Sequence, residues 1–574
     1  MKTYRTQNLL TAEGEKLLRD GGIPWNVYPR PMLERDSFVC LNGKWQFSDR
    51  EEGDFTEEIL VPFPPESLLS GIGRRLGKNP TVRYRRTFAL PDGFIKKTAD
   101  RVILHFGAVD QIAEVRLNGN SLGSHTGGYE AFSFDITGFL REENELTVTV
   151  RDRLSDKILP YGKQREDRGG MWYTPITGIW QTVWLECVPE QYVRSLKIDI
   201  HGDCAEITAD GISDGVITVT TPDGDEVFPV IGAKAVVKPK TVRKWSASDP
   251  YLYRFTLVSG EDRVKSYFAL RTVDVRVIDG VPRICVNGDP VFFHGLLDQG
   301  YWSDGIMTPA SAECFEQDIL AAKSLGFNTL RKHIKLEPQR FYYDCDRLGM
   351  YVFQDMVNCG TYSFFRDTAL PTVGVKNLPS AFRKQKKAAV QAFEKGMESA
   401  VNALYSHPCV VYWTVFNEGW GQCDEERITE KMYSRDSSRI IDSASGWFTN
   451  SRLRTDTDST HVYFKPVKIK IDERPTVLSE FGGYSYKPEG HAYNLDKTYG
   501  YRFFTEREKF EDALIELYEN EIIPAAEKGL SGAIYTQISD VEDETNGLLS
   551  YDRKIVKVSP ERMKKIAGKL GVVL

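Results

Sequence analysis

Residues 410–418 read VVYWTVFNE, an apolar run of β-branched and aromatic side chains that ends on an amide, Asn417, and a carboxylate, Glu418. A run this short and apolar on both faces predicts a strand buried in a parallel sheet. A carboxylate placed directly after it is costly to desolvate unless it is paired or hydrogen-bonded. The pattern repeats: TVLS (476–479) runs into Glu480, YVFQ (351–354) into Asp355 and GAIYTQIS (532–539) into Asp540. A strand-end acid can simply cap the next helix or meet an arginine, so a single instance decides nothing.

Outward from this stretch the period is regular. Candidate strands are VFFHGLL (291–297), NTLRKHI (328–334), YVFQDM (351–356), VVYWTVFN (410–417), RIIDSA (439–444), THVYF (460–464), TVLSEF (476–481) and GAIYTQI (532–538). Helical patterns lie between them at 311–326, 338–349, 382–406 and 510–529. Eight such units in about 300 residues predict a (β/α)8 TIM barrel over 276–574. Glu418 and Glu480 are only 62 positions apart, where three full βα units take about 90. The fifth and sixth units must therefore be short, and EERITEKMYS (425–434) is the one good helix there.

Before residue 276 the period is two. VRYRRTFAL (82–90), RVILHFG (101–107) and NELTVTVRD (144–152) alternate between turns, and Asn118-Gly119 marks a two-residue hairpin. Residues 1–188 are expected to form a jelly-roll-like β-sandwich. Residues 189–275, with GVITVTT and YLYRFTLV, are expected to form an immunoglobulin-like sandwich. The fold class is thus multidomain, β plus α/β.

Composition narrows the partners. Against 81 acidic residues stand 74 basic ones, a formal charge of −7, which gives no electrostatic reason to bind nucleic acid. The aromatic share of 12% suits stacking on sugar faces, although core packing uses the same residues. Nine cysteines are scattered without a CxxC pair, as expected of thiols in a reducing compartment. The first 22 residues carry charges where a signal peptide needs an apolar core, and no run of 18 apolar residues occurs. A cytoplasmic location without membrane attachment is expected. No metal-ligand spacing and no phosphate-binding loop is present, so no metal or cofactor is expected.

Two glutamates after buried strands suit one chemistry in particular. Retaining hydrolysis of a glycosidic bond needs two carboxyl groups about 5–5.5 Å apart, one to protonate the leaving oxygen and one to attack the anomeric carbon. Arg331 and His333 share a strand face by the period of two. Asn417 is either a turn residue or a hydrogen-bond donor to a sugar hydroxyl.

VVYWTVFNEGW and LSEFGGY resemble the catalytic segments of glycoside hydrolase family 2, the family of β-galactosidases, β-glucuronidases and β-mannosidases. The similarity runs through nearly the whole chain. LNGKWQF, LNGNSLGSHTGGYEAFSFDIT and GIWQTVWLE resemble the family's N-terminal sugar-binding sandwich, WSASDPYLYRFTL its immunoglobulin-like domain, and GDPVFFHGLLDQ with GFNTLRKH the start of its barrel. The resemblance implies Glu418 as acid/base, Glu480 as nucleophile, Asn417 as the contact to the sugar 2-hydroxyl, Arg331 beside the nucleophile and Tyr463 hydrogen-bonded to it.

The chain also departs from the family pattern. His333 stands one position early, and is either a pocket residue or a support for Arg331. The Asn-x-Lys motif that the glucuronidases carry near the C-terminus does not occur between Val275 and Leu574, which leaves Lys332, Lys335 or Arg553 as the cations on offer for a sugar carboxylate. At the eighth strand Gln537 and Asp540 replace the usual tryptophan platform, so Tyr301, Trp302 or Trp420 is expected to supply one. Asp298 and Asp304 either read sugar hydroxyls or close ordinary Asx turns. The resulting expectation is a retaining exo-glycosidase, β-galactosidase-like. β-Glucuronidase or α-L-arabinosidase activity is the alternative on the same scaffold, and a non-catalytic carbohydrate-binding protein the alternative of another class. A carbohydrate is the expected partner, and the sandwich domains offer a face for a homo-oligomer.

Overall fold

The computed structural model describes residues 4–372, 374–375, 384–448 and 453–574. The expected helix at 382–406 is observed as Lys387–Leu404, and its first two expected positions, 382 and 383, lie outside the described residues.

The N-terminal sandwich packs a four-stranded sheet against a six-stranded one. Alternation decides which side chains face inward. In Asn144–Arg151 the residues Asn144, Leu146, Val148 and Val150 are buried, while Glu145, Thr147, Thr149 and Arg151 are not. The shared core holds Trp45, Phe47, Tyr84, Leu104 and Val148. The Asn118-Gly119 hairpin forms as expected, with φ of 53° and 80° at its two central residues.

Seven antiparallel strands make the middle domain, from Ser195–His201 to Asp262–Phe268, and both edge strands contribute to one core. The division expected at 275/276 falls inside a strand, Val273–Ile278. That strand pairs with Val281–Val286 in a separate hairpin, and Arg283 from the hairpin donates to the Leu530 carbonyl at 3.0 Å. The hairpin lies against the barrel. Its alternation looks the same as that of a sandwich strand, which is why a boundary read from the period falls inside it.

All eight barrel strands fall within or overlap the expected runs: β1 (Phe293–Asp298), β2 (Thr329–Lys332), β3 (Tyr351–Asp355), β4 (Val410–Thr414), β5 (Ile440–Asp442), β6 (Asp458–Val462), β7 (Thr476–Phe481) and β8 (Leu530–Tyr535). Neighbours pair in parallel and β1 pairs with β8, so the sheet curls into a nearly closed barrel. Among the described residues no ladder joins β5 to β6. The shortened units lie here: Glu425–Arg435 precedes β5, and no described helix lies between β5 and β7. Every residue of β4 and β7 is buried, as parallel strands covered on both faces require.

Arg35 fastens the sandwiches together. Its guanidinium donates to both oxygens of Asp262 at 2.8 Å and to the Val193 carbonyl at 2.6 Å, and it lies 3.6 Å from Glu186. All three charged groups are buried. Removing one partner of such a set leaves uncompensated charge, so Arg35→Ala should cost about 3–5 kcal/mol. Thermal unfolding followed by calorimetry should show the first transition moved down by several degrees. A transition at the wild-type temperature would contradict this account of the joint.

Candidate active site

After β4 the chain continues through Val415 and Phe416 and turns sharply. Asn417 bridges to Ser445, and the Glu418 amide donates to the Ser445 carbonyl at 2.9 Å. Glu418 itself adopts φ 53°, a conformation a glutamate seldom takes. Trp447 helps hold it there, its indole N–H donating to the Glu418 carbonyl at 2.9 Å. The next residue has to be glycine: at Gly419, φ 68°, a Cβ would stand 1.9 Å from the Phe448 ring.

Glu480 arrives from β7 at an irregularity. The pairing of β7 with β8 shifts between Leu478 and Phe481, and its pairing with β6 shifts between Thr460 and His461. Bulges of this kind re-aim side chains at barrel rims. Here they accompany the turn of Glu480, His461 and Tyr463 into one cluster with Glu418.

Glu480 Oε1 accepts from Arg331 Nη1 at 3.1 Å, and Oε2 accepts from the Tyr463 hydroxyl. His461 Nδ1 is 2.8 Å from Glu418 Oε1 and 3.5 Å from Glu480 Oε2. One oxygen of each glutamate and the His461 nitrogen all lie within 4.8 Å of one another. This spacing suits one carboxyl attacking and the other protonating the same substrate bond.

Environment separates the two acids. Burial works against ionising Glu480, but the imidazole of His461, the guanidinium of Arg331, His333 and the Tyr463 hydroxyl outweigh it. Its carboxyl is held well below the usual carboxylate range. The Glu418 side chain is 20% exposed against 6% for Glu480, so it is the one open to the mouth.

Arg331 organises the floor. Besides Glu480 it donates to Asp355 Oδ1 at 3.0 Å, to the Ser479 carbonyl at 2.9 Å and to Asn417 Oδ1 at 2.7 Å. The last bond fixes the Asn417 amide with its NH₂ side turned away from the guanidinium. His333 meets the second oxygen of Asp355 at 2.8 Å and lies 4.0 Å from Glu480. It therefore supports the floor through Asp355, and burial keeps its imidazole below the usual histidine range.

Other expected positions are elsewhere. Asp298 is engaged within the protein: its oxygens take the Gly300 amide at 2.8 Å and Lys332 Nζ at 2.6 Å, because Asp298 and Lys332 are register partners on β1 and β2. Trp302 is buried against Phe315 and under Arg553, so it forms no open platform. Asp304 accepts from Thr11. The candidate cations are engaged too: Lys332 by Asp298 and Glu337, Lys335 by Glu337 and two carbonyls, Arg553 by Asp318. Gln537 is buried after β8 and donates to Asn546 at 2.8 Å, while its carbonyl oxygen has no partner among the described residues.

The sequence reading passed over three features. His461 lay in a string noted only for Tyr463. Glu544, buried after β8, accepts from the Tyr173 hydroxyl, and burial raises its carboxyl above the usual range. The third is the pair Trp172 and Tyr362, which join Trp420, already a platform candidate in the sequence, in an aromatic wall beside Glu418 at 4.5 Å and 5.9 Å between ring centroids. Trp172 and Tyr173 belong to the N-terminal sandwich, whose segment 161–174 also anchors through Arg168 to Glu542 and Asp543. Among the described residues the one group of three carboxylate and imidazole donors close enough to hold a metal ion is Glu418, His461 and Glu480 itself. Spacing along the chain cannot reveal a trio drawn from three separate strand ends.

Comparisons with known proteins agree with this architecture. A β-galactosidase of Aeromonas hydrophila subsp. hydrophila is 28% identical over 461 residues, covering 71% of this chain and 42% of that protein. One from Arthrobacter sp. is 30% identical over 374 residues, covering 63% and 34%. The chain thus spans less than half the length of these two relatives. The solved β-D-glucuronidase of Dictyoglomus thermophilum shares the fold, with a TM-score of 0.72 over 94% of this chain and 98% of that one at 17% identity. Residues 70–189 match the sugar binding domain of glycosyl hydrolases family 2 and residues 275–555 its TIM barrel domain, so the chain belongs to glycoside hydrolase family 2.

Proposed function

We propose that this chain is a retaining exo-glycosidase that removes a terminal sugar from β-glycosides by double displacement, with Glu480 as nucleophile and Glu418 as acid/base. The observation that carries the reading is the pair itself: two carboxyl groups with oxygens within 4.8 Å, one buried and held ionised, the other open to the barrel mouth. In the first step Glu480 attacks the anomeric carbon while Glu418 protonates the departing oxygen. In the second, Glu418 takes a proton from water, which displaces the sugar from Glu480. Asn417, oriented by Arg331, is left to donate to the hydroxyl next to the reacting carbon.

For the sugar, a β-galactoside is the leading choice. It is supported by relatives named β-galactosidases and by the engagement of Lys332, Lys335 and Arg553, which removes the three cations on offer for a glucuronide carboxylate. A cytoplasmic location is supported by nine cysteines that all remain free thiols. Among the described residues no helix is long and apolar enough to cross a membrane.

Glu480→Gln should lower turnover of aryl glycosides by on the order of 10⁴-fold with the thermal transition unchanged. Activity at the wild-type level in that variant would end the assignment. A panel of nitrophenyl β-galactoside, β-glucuronide, β-mannoside and α-L-arabinoside should give its highest kcat/KM on the first. A panel silent throughout, with sugar binding still measurable, would favour the binding-protein reading.

Tyr463→Phe removes the donor from Glu480 Oε2. The Glu480 carboxyl, depressed in the native enzyme, should then rise toward its ordinary value. Attack needs the ionised form, so the acid limb of the kcat/KM profile should move to higher pH, by about one unit. An acid limb at the wild-type position would show that the hydroxyl does not hold the anion.

A further inference from the structure

The double displacement gives His461, at the centre of the site, no step of its own. Its side chain is fully buried, and Nδ1 faces Glu418 Oε1 at 2.8 Å. Which nitrogen carries the hydrogen follows from the far side of the ring. Nε2 lies 3.2 Å from Ser445 Oγ. The Ser445 hydroxyl donates to Ser479 Oγ at 2.8 Å, and Ser479 donates onward to the Thr460 carbonyl at 3.4 Å. With its one hydrogen committed, Ser445 Oγ accepts, and Nε2 is the donor.

Arg331 Nη1 also lies 3.5 Å from Nε2, but its hydrogens go to the Ser479 carbonyl and to Glu480. What it presents to the ring is positive charge. A neutral ring with its hydrogen on Nε2 offers a lone pair at Nδ1. A 2.8 Å contact from that lone pair to a carboxyl oxygen needs a hydrogen, and the carboxyl must bring it.

We propose that His461 is a positioning residue for the acid/base, whose Nδ1 accepts the carboxyl hydrogen of Glu418 and so fixes where that hydrogen points. The inference rests on the reading of Glu418 as acid/base. In the first step that hydrogen leaves His461 for the departing oxygen, which keeps the electron pair of the broken bond. The water that attacks the glycosyl-enzyme restores a proton to Glu418, so the pair ends each turnover as it began. Among the groups that hold Glu480 ionised, Arg331 and Tyr463 keep their direct hydrogen bonds to its two oxygens. The charged and titratable groups around the ring are Glu418 after β4, Asp442 on β5, Arg331 on β2, Glu480 on β7 and Tyr463 following β6, with Asp355 and His333 paired behind Arg331.

The test is the pH dependence of kcat/KM for two aryl glycosides of a sugar the wild type turns over, phenyl as a poor leaving group and dinitrophenyl as a good one. His461→Ala should lose about tenfold or more on the phenyl glycoside and less than about threefold on the dinitrophenyl glycoside. Its basic limb should move to lower pH, because the protonated acid has lost its acceptor. His461→Asn, a weaker acceptor that preserves polarity in the cavity, should shift the limb the same way by less, and it decides the matter if the alanine variant does not fold. A basic limb that stays in place, or moves to higher pH as expected of a cationic donor to ionised Glu418, overturns the proposal, as does equal loss on both substrates. Glu418→Gln serves as the control: full activity on the phenyl glycoside there would overturn the reading of Glu418 itself, separately from His461.

Discussion

A single buried guanidinium holds the centre of this molecule. Arg331 is 1% exposed and reaches three other strand ends at once, Asp355 on β3, Asn417 beyond β4, and the Ser479 carbonyl with the Glu480 carboxylate on β7. Desolvating such a charge costs several kcal/mol, and the ion pairs around it offset that loss without turning it into a net gain in stability. What the arrangement supplies is geometry. The planar fork of arginine meets two carboxylates and an amide in fixed directions, which a lysine ammonium on a flexible stem does not do. The positions of Glu480 and Asn417 are two consequences of one side chain.

The interruption between β5 and β6 belongs to the same design. Without a helix between β5 and β7 among the described residues, the segment after β5 comes straight back to the mouth, bringing Ser445 and Trp447 against the backbone of Glu418. A regular βα unit would carry the chain outward to a helix at that point. The left-handed φ of Glu418 is thus sustained by hydrogen bonds from a loop that exists because the unit is short.

Much of this was legible in the sequence, for physical reasons that differ by residue. Parallel strands buried on both faces leave unbroken apolar runs, so all eight barrel strands could be read, and the two glutamates stood out as desolvated charges at their ends. Tyr463 came through resemblance and lies on the Glu480 carboxylate. Asp298 misled because its partner, Lys332, is fixed by the register of β1 against β2, and register between parallel strands leaves no mark within either one. Trp302 misled because an aromatic residue in a loop reads the same whether it packs inward or lines a pocket. His461 was missed because a bulge, which alternation does not encode, turns it toward Glu418. The boundary read at 275/276 cuts the first strand of the hairpin at 273–286, since a period of two does not say where one body ends and the next begins.

The N-terminal sandwich is more than an attached module. Its segment 161–174 supplies Trp172 to the wall beside Trp420 and Tyr173 to Glu544, and Arg168 anchors it on Glu542 and Asp543. Glu542 and Glu544 are both buried acids that burial raises above the ordinary range, and sandwich residues supply hydrogen bonds that work against that rise: Thr174 for Glu542 and Tyr173 for Glu544. Withdrawing the segment would expose the aromatic wall to water and strip both acids of these partners. The barrel carries the carboxylates on its own strands, but the walls around them are finished by a different domain, so the pocket depends on the joint between sandwich and barrel as much as on either fold.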